Sequence, residues 1–384
     1  MKTLNRAACV TASLIMLPVF WCLTAVAAAQ TPDSSHKQSP ESDSTPKRSF
    51  GGFVDTYYAW DFDRPAKFDR AFTTQPARHA EFNVNLAFIE TKWTGPRYRG
   101  RLALQWGTSV QANYAGEPKI GGVSGPNVSQ FLQEAVVGYQ LGPSLWIDGG
   151  IFLSHLGYES WISRDNLAYS RSMVADFSPY YEAGVKVTWA ASQKLTAMIA
   201  VLNGWQDISA YNTPPAGGFR LDYAPTPKLT LTYDNFIGNA AADSLPAQIR
   251  WYHDVVVQYN PGARWQFAAV YSIGSQSRST PANGTASWWG TTAIAKYHLT
   301  SRVSLVGRGE AYSDPSQIIV VTGLPQSFQT ASGSLGIDVN FIGPVLWRSE
   351  FRGFHSKQAV WPLHTVSEHS RNESFIVTSM ALTF

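Results

Sequence analysis

The sequence predicts an all-β fold, a transmembrane antiparallel up-and-down β-barrel of about sixteen strands. Three observations point there. Apolar and polar residues alternate with period two through most of the chain, no run of 18 apolar residues follows Phe50, and short connections alternate with long ones. In residues 228–236, Leu229, Leu231 and Tyr233 share one face while Thr230, Thr232 and Asp234 share the other. In 334–341, Leu335, Ile337, Val339 and Phe341 oppose Ser334, Gly336, Asp338 and Asn340. A helical face repeats every 3.6 residues and would mix these sets, whereas a strand sends successive side chains to opposite faces. With no apolar helix long enough to span a bilayer, a membrane-crossing chain must pair every backbone group within a closed sheet.

Taken in order, the strands are expected near 50–62, 79–94, 98–112, 129–141, 144–153, 178–190, 194–205 and 217–225 in the first half of the barrel. The second half follows at 228–237, 249–260, 263–274, 286–299, 302–313, 329–342, 344–354 and 373–384. Tight turns follow the even-numbered segments, among them Gly95-Pro96, Gly142-Pro143, Asn260-Pro261-Gly262 and Gly343-Pro344. Longer Gly/Pro-rich or polar loops follow the odd-numbered ones. Even strand number with short periplasmic turns and long exterior loops is the layout of a bacterial outer-membrane barrel. The chain ends on Ile376, Thr378, Met380, Leu382 and Phe384 along one face, a terminus suited to recognition by the barrel-assembly machinery.

Ahead of the barrel, Lys2 and Arg6 precede an apolar stretch from Ala7 to Val26 and three alanines, so residues 1–29 read as a secretory signal peptide. Val19, Phe20 and Trp21 are too bulky to precede an acylated Cys22. Residues 30–49 have almost nothing to bury and are expected to form a disordered periplasmic leader, leaving 50–384 as the barrel. Both cysteines, Cys9 and Cys22, fall in the signal, which excludes a disulfide framework, a zinc finger and a thiol nucleophile from the mature chain. Charged residues make up only 15%, against about 25% in soluble domains. The balance is nearly neutral once Lys2 and Arg6 are set aside, so no nucleic-acid footprint is present. Neither a catalytic nor a cofactor or metal site is assigned.

At this point a resemblance becomes specific. GGFVDTYYAWDFDRP, FNVNLAFIE, RLALQWGTSVQANY, FLSHLGYESWISRDNLAYSRS and SPYYEAGVKVTW make the region 50–190 resemble the OmpL-like outer-membrane β-barrel porin family, with a looser match beyond it. The resemblance implies an integral outer-membrane channel for passive diffusion of small hydrophilic solutes or ions, in contact with lipid and lipopolysaccharide. It leaves the solute and any homo-oligomer open.

A barrel of this size encloses an aqueous lumen, so the face opposite the apolar one becomes the pore wall. Basic and acidic residues on that face are almost equal in number, which argues against strong ion selectivity. Two strands nevertheless make one wall locally basic through Arg302, Arg308, Arg348 and Arg352; these either line the solute path or pair with Glu310 and Glu350. Arg99 and Arg101 lie on the same face. The longest connection, 155–178, carries Glu159, Arg164, Asp165, Arg171 and Asp176. Its Tyr158, Trp161, Leu167, Tyr169 and Met173 are too apolar for a solvated loop, which is expected either to fold into the pore as a constriction or to form an exterior lid. Aromatic girdles are expected at both rims, from Trp93, Tyr139, Trp189, Tyr259 and Tyr297 on one side and Tyr58, Trp60, Trp205 and Phe236 on the other. The rival classes are a loop-mediated adhesin or receptor and a barrel enzyme using Ser154-His155, His253-Asp254 or His364 with Glu368 and His369. His253 and Asp254 face opposite ways on a strand and cannot pair directly.

Overall fold

The computed structural model describes residues 46–384 except 213, 279–283, 342 and 366. The signal peptide and most of the expected leader lie outside the described residues. The first seven strands are β1 (Lys47–Asp61), β2 (Phe82–Thr94), β3 (Tyr98–Trp106), β4 (Leu132–Gly142), β5 (Leu145–Leu153), β6 (Tyr181–Ala190) and β7 (Leu195–Leu202). Then come β8 (Ala216–Thr226), β9 (Leu229–Asn239), β10 (Ile249–Tyr259), β11 (Trp265–Ser277), β12 (Thr285–His298) and β13 (Val303–Asp314). The chain ends with β14 (Phe328–Asn340), β15 (Val345–Ser356), a two-residue pair β16 (Trp361–Pro362) and β17 (His369–Ser370), and β18 (Asn372–Thr383). All but β16 and β17 join one closed antiparallel barrel of sixteen strands, sealed where β18 pairs with β1 in the register Val54 to Leu382. Every segment anticipated from the alternation is therefore a barrel strand.

Facing follows the period-two pattern. Thr232, Asp234, Asp254 and Asp338 point inward and are buried, while Leu231, Val255, Leu335, Ile376 and Met380 are exposed toward lipid. Two boundaries differ from expectation. The third strand stops at Trp106, because Thr108–Tyr114 forms helix α1 and places Val110 and Tyr114 one turn apart under Trp161. Likewise β1 begins at Lys47, so residues 47–49 of the expected leader pair with Lys92–Thr94 of β2. Two girdle residues are also misplaced by the sequence reading. Phe236 is 1% exposed and Trp205 packs edge-on against it at 5.0 Å and against Tyr252 at 5.1 Å, all inside the barrel mouth. By contrast Tyr139, Trp189 and Tyr259 are exposed on the lipid face as expected.

Candidate pore and its inserted loop

The segment between β5 and β6 governs the lumen. Its base is closed by Ser154 N–H donating to the Tyr180 carbonyl at 3.1 Å. His155 then turns inward: its Nδ1 lies 2.8 Å from Glu182 and its Nε2 2.9 Å from the Asn235 carbonyl. Gly218 on β8 leaves room for this ring, since a Cβ there would come within 2.6 Å of it. At the opposite extreme, Arg164 donates to the Pro344 carbonyl at 2.6 Å and to Thr383 Oγ1 at 2.9 Å, both beside the short turn between β14 and β15. The segment thus runs through the barrel from the long-loop rim to the short-turn rim, and the exterior-lid alternative does not describe it.

Irregular backbone at this depth needs buried partners for its N–H and C=O groups. The arginine wall supplies them. Arg348 donates to the carbonyls of Ser163 at 2.7 Å, Leu167 at 2.6 Å and Asn166 at 3.2 Å, while its Nε holds Asp338 at 2.8 Å. Arg308 donates to the Ser170 carbonyl at 2.6 Å and to Glu350 at 2.8 Å, and Arg352 to the Arg171 carbonyl at 2.7 Å and to Glu310 at 2.5 Å. The acids complete the match: Glu350 accepts from Ser170 N–H at 2.7 Å and Glu310 from Met173 N–H at 2.6 Å. All three guanidiniums are buried. Of the two readings offered by the sequence, pairing with the glutamates describes Arg308 and Arg352, and beyond that pairing the arginines hold the loop.

The loop's apolar side chains are covered by an apolar stripe on the inner wall, where the alternation alone suggests a polar surface. Leu167, Ala168 and Tyr158 pack against Ala268, Ile294 and Val306, and Val174 against Val256 and Val270. The inward set of β10–β13 thus mixes apolar and polar residues. Burying the loop against this stripe is favourable by the usual area-proportional gain and removes it from solvent.

The remaining predicted residues divide by place. Glu159 accepts from Ser172 N–H at 3.1 Å within the loop, and Arg171, buried, donates to the Glu159 carbonyl at 2.9 Å with its guanidinium 4.8 Å from the Tyr180 ring. Asp176, in the short helix α2 (Met173–Asp176), accepts from Thr74 Oγ1 at 2.7 Å and Tyr180 Oη at 2.6 Å, tying the loop to the connection after β1. Asp165 is exposed beside Arg164. Arg302 is exposed in the turn before β13, apart from the buried arginines. Arg99 pairs with Asp148 at 2.7 Å, and Arg101 with Glu90 at 2.6 Å and with Glu134. Arg99, Arg101, Glu90, Arg220 and Lys296 keep 15 to 22% side-chain exposure.

Some structural residues escape sequence reading. Arg70 joins Asp61 at 3.2 Å and Glu373 at 2.9 Å in a buried triad across the β1–β18 seam. Glu117 accepts from Ser209 N–H at 2.9 Å and Tyr181 Oη at 2.8 Å, knitting two exterior loops. Nothing in local spacing links residues so far apart in the chain. Of the catalytic candidates, Ser154 Oγ donates to Glu182 at 3.0 Å, and His253 Nδ1 lies 2.8 Å from Tyr233 Oη.

A family profile described as Putative beta-barrel porin-2, OmpL-like, matches residues 47–384. No curated protein matches the chain in sequence. Among solved structures, the anion-selective porin from Comamonas acidovorans is 13% identical with a TM-score of 0.59, covering 88% of this chain and 100% of that one. The outer membrane channel DcaP of Acinetobacter baumannii is 10% identical with a TM-score of 0.60, covering 90% and 99%. OmpF of Salmonella typhi, solved in complex with daunomycin, is 14% identical with a TM-score of 0.57, covering 90% and 99%. At these identities the neighbours share the fold alone. From the match across nearly the whole barrel, the chain belongs to the OmpL-like β-barrel porin family and is an integral porin of the outer membrane.

Proposed function

We propose that this porin is a narrow diffusion channel for small hydrophilic solutes, with the 154–180 segment setting its aperture. The observation that carries this reading is the set of loop carbonyls, at Ser163, Asn166, Leu167, Ser170 and Arg171, held by three buried arginines of the wall. Those arginines position the constriction and do not touch solute. Solute passes between the loop and the β2–β5 wall, where Arg99 faces Asp148 and Arg101 faces Glu90 and Glu134. Charges matched at contact distance leave little net field, which favours weak ion selectivity; the anion selectivity of the Comamonas acidovorans porin is therefore not carried over. Ser154 and His155 both engage Glu182, an arrangement that supports anchoring the loop base over hydrolysis.

Planar-bilayer recording with ion substitution tests the proposal. A small single-channel conductance with near-equal anion and cation permeability is expected. A large conductance would mean that the inserted loop does not limit flow, and none at all would remove the channel reading.

A further inference from the structure

The short-turn rim carries a one-sided charge that the pore leaves unexplained. Five of its turns contain a single cation each, Arg97, Lys194, Lys228, Arg264 and Arg302, always at the residue just before the next strand. Lys47 and Arg48, at the start of β1, come from the same rim. No Asp or Glu occurs in any of the seven short turns. The opposite rim mixes both signs, as in the Arg78 pairs with Asp69 and Glu81. Inside the lumen, Arg99, Arg101, Arg220, Lys296, Arg308, Arg348 and Arg352 all face carboxylates within ion-pair distance. Among the described residues, none of the five turn cations does.

Two of these cations show where the charge is directed. The Arg97 guanidinium lies 5.0 Å from the centroid of the lipid-facing Tyr139 ring, and Arg264 donates to Tyr297 Oη at 3.4 Å beside the exposed Trp265. Aromatic rings of this kind mark the membrane–water interface, so the cations sit at headgroup height. Like charges spaced around a rim repel one another unless a counter-charge neutralises them, and a phosphate with uncompensated negative charge is the counter-charge that an interface supplies.

We propose that the periplasmic rim binds the headgroups of anionic phospholipids in the inner leaflet, through Arg97, Lys194, Lys228, Arg264 and Arg302. The full mature chain, folded and purified in detergent, would be offered phosphatidylglycerol or phosphatidylcholine at low salt and its retained lipid counted by native mass spectrometry. The parent is expected to retain phosphatidylglycerol preferentially. The R97Q/K228Q/R264Q variant should lose that preference by an order of magnitude or more, since each cation near an anionic surface is worth about fivefold. Its heat-modifiability in phosphatidylcholine vesicles should match the parent, which separates lipid binding from folding. If that variant fails to fold, K194Q/R302Q makes the same test and is expected to lose about tenfold or more by the same scale. Equal retention of both lipids by the parent would overturn the proposal, as would an unchanged preference in a folded variant. An unchanged lipid preference together with an altered reversal potential would assign the cations to passing solutes and equally overturn it. Because lipid retention is read without conductance, failure here is distinguishable from failure of the channel reading.

Discussion

Arg348 on β15 donates to the backbone carbonyl of Ser163, 185 residues earlier in the chain, at 2.7 Å. Through this contact the barrel wall fixes the deepest turn of the inserted loop while the same guanidinium neutralises Asp338. Replacing Arg348 with Met leaves three loop carbonyls buried without their donor and Asp338 paired with Lys296 alone. Removing one partner of a buried pair costs about 3–5 kcal/mol. The expected outcome is a lower unfolding temperature and larger, noisier single-channel conductance. Arg348→Lys, a point charge without the fork that reaches several carbonyls, should fall between. Unchanged stability and conductance in Arg348→Met would show that the latch carries no weight.

Deleting residues 159–176 should raise conductance while the barrel still assembles, since β5 and β6 keep their paired register from Leu145–Trp189 to Leu153–Tyr181. The deletion also exposes Val256, Val270, Ala268, Ile294 and Val306 to water, so thermal stability should drop. Conductance equal to the parent's would mean that the narrowest section lies elsewhere.

The two loop arginines should not behave alike. Arg164 reaches the short-turn mouth, whereas Arg171 is 2% exposed and turned toward Glu159 and Tyr180. Arg164→Gln is expected to shift ion preference toward cations, with a weaker effect at 1 M salt, where screening shortens to about 3 Å. Arg171→Gln should alter stability far more than selectivity. Reversal potentials measured for the two variants decide this, and a larger shift in Arg171→Gln would contradict the burial.

Assembly should depend on the last residue. The Phe384 N–H donates to the Gly52 carbonyl at 3.1 Å, Gly52 N–H donates back at 2.9 Å, and the ring lies over Gly52, where a Cβ would meet it at 2.3 Å. Phe384→Asp places a charge on the lipid face at the closing seam and should sharply reduce the heat-modifiable fraction in the outer membrane. Gly52→Val, which also crowds the Phe88 carbonyl, should do so to a lesser degree. Normal folded yield for Phe384→Asp would remove the assumed role of this terminus in assembly.

The exterior loop segment 203–212 should loosen as pH rises. Burial, reinforced by the nearby Glu117 charge, pushes the Asp207 carboxyl up to about 7. Between its ordinary value near 4 and about 7 the folded loop binds more protons than the unfolded chain, so stability falls with rising pH across that window. With the base-catalysed intrinsic rate divided out, the protection of the 203–212 amides against hydrogen exchange should therefore fall from pH 5 to pH 8 in the parent and much less in Asp207→Asn. The same pH dependence in both would assign it to another group.

What the sequence determines by itself is the barrel. Alternation at residues such as Leu335 and Asp338 encodes facing, because a strand's side chains have a fixed period of two, and sixteen such segments with alternating turns leave little freedom in topology. Departures were local: the helical spacing of Val110 and Tyr114 overrode strand alternation once Trp161 arrived from another segment to cover them. The fate of the inserted loop was decided only in the tertiary structure. Its apolar residues demanded burial, but whether the cover came from neighbouring loops or from Ile294 and Val306 depended on contacts over 100 residues apart in sequence. The arginine wall illustrates the same limit, since Arg308, Arg348 and Arg352 are plainly cationic in sequence. That their charge is spent on loop carbonyls and on Asp338, Glu310 and Glu350 follows from the inserted loop covering that wall and burying all three guanidiniums, a property of the closed barrel that no segment of the chain carries alone.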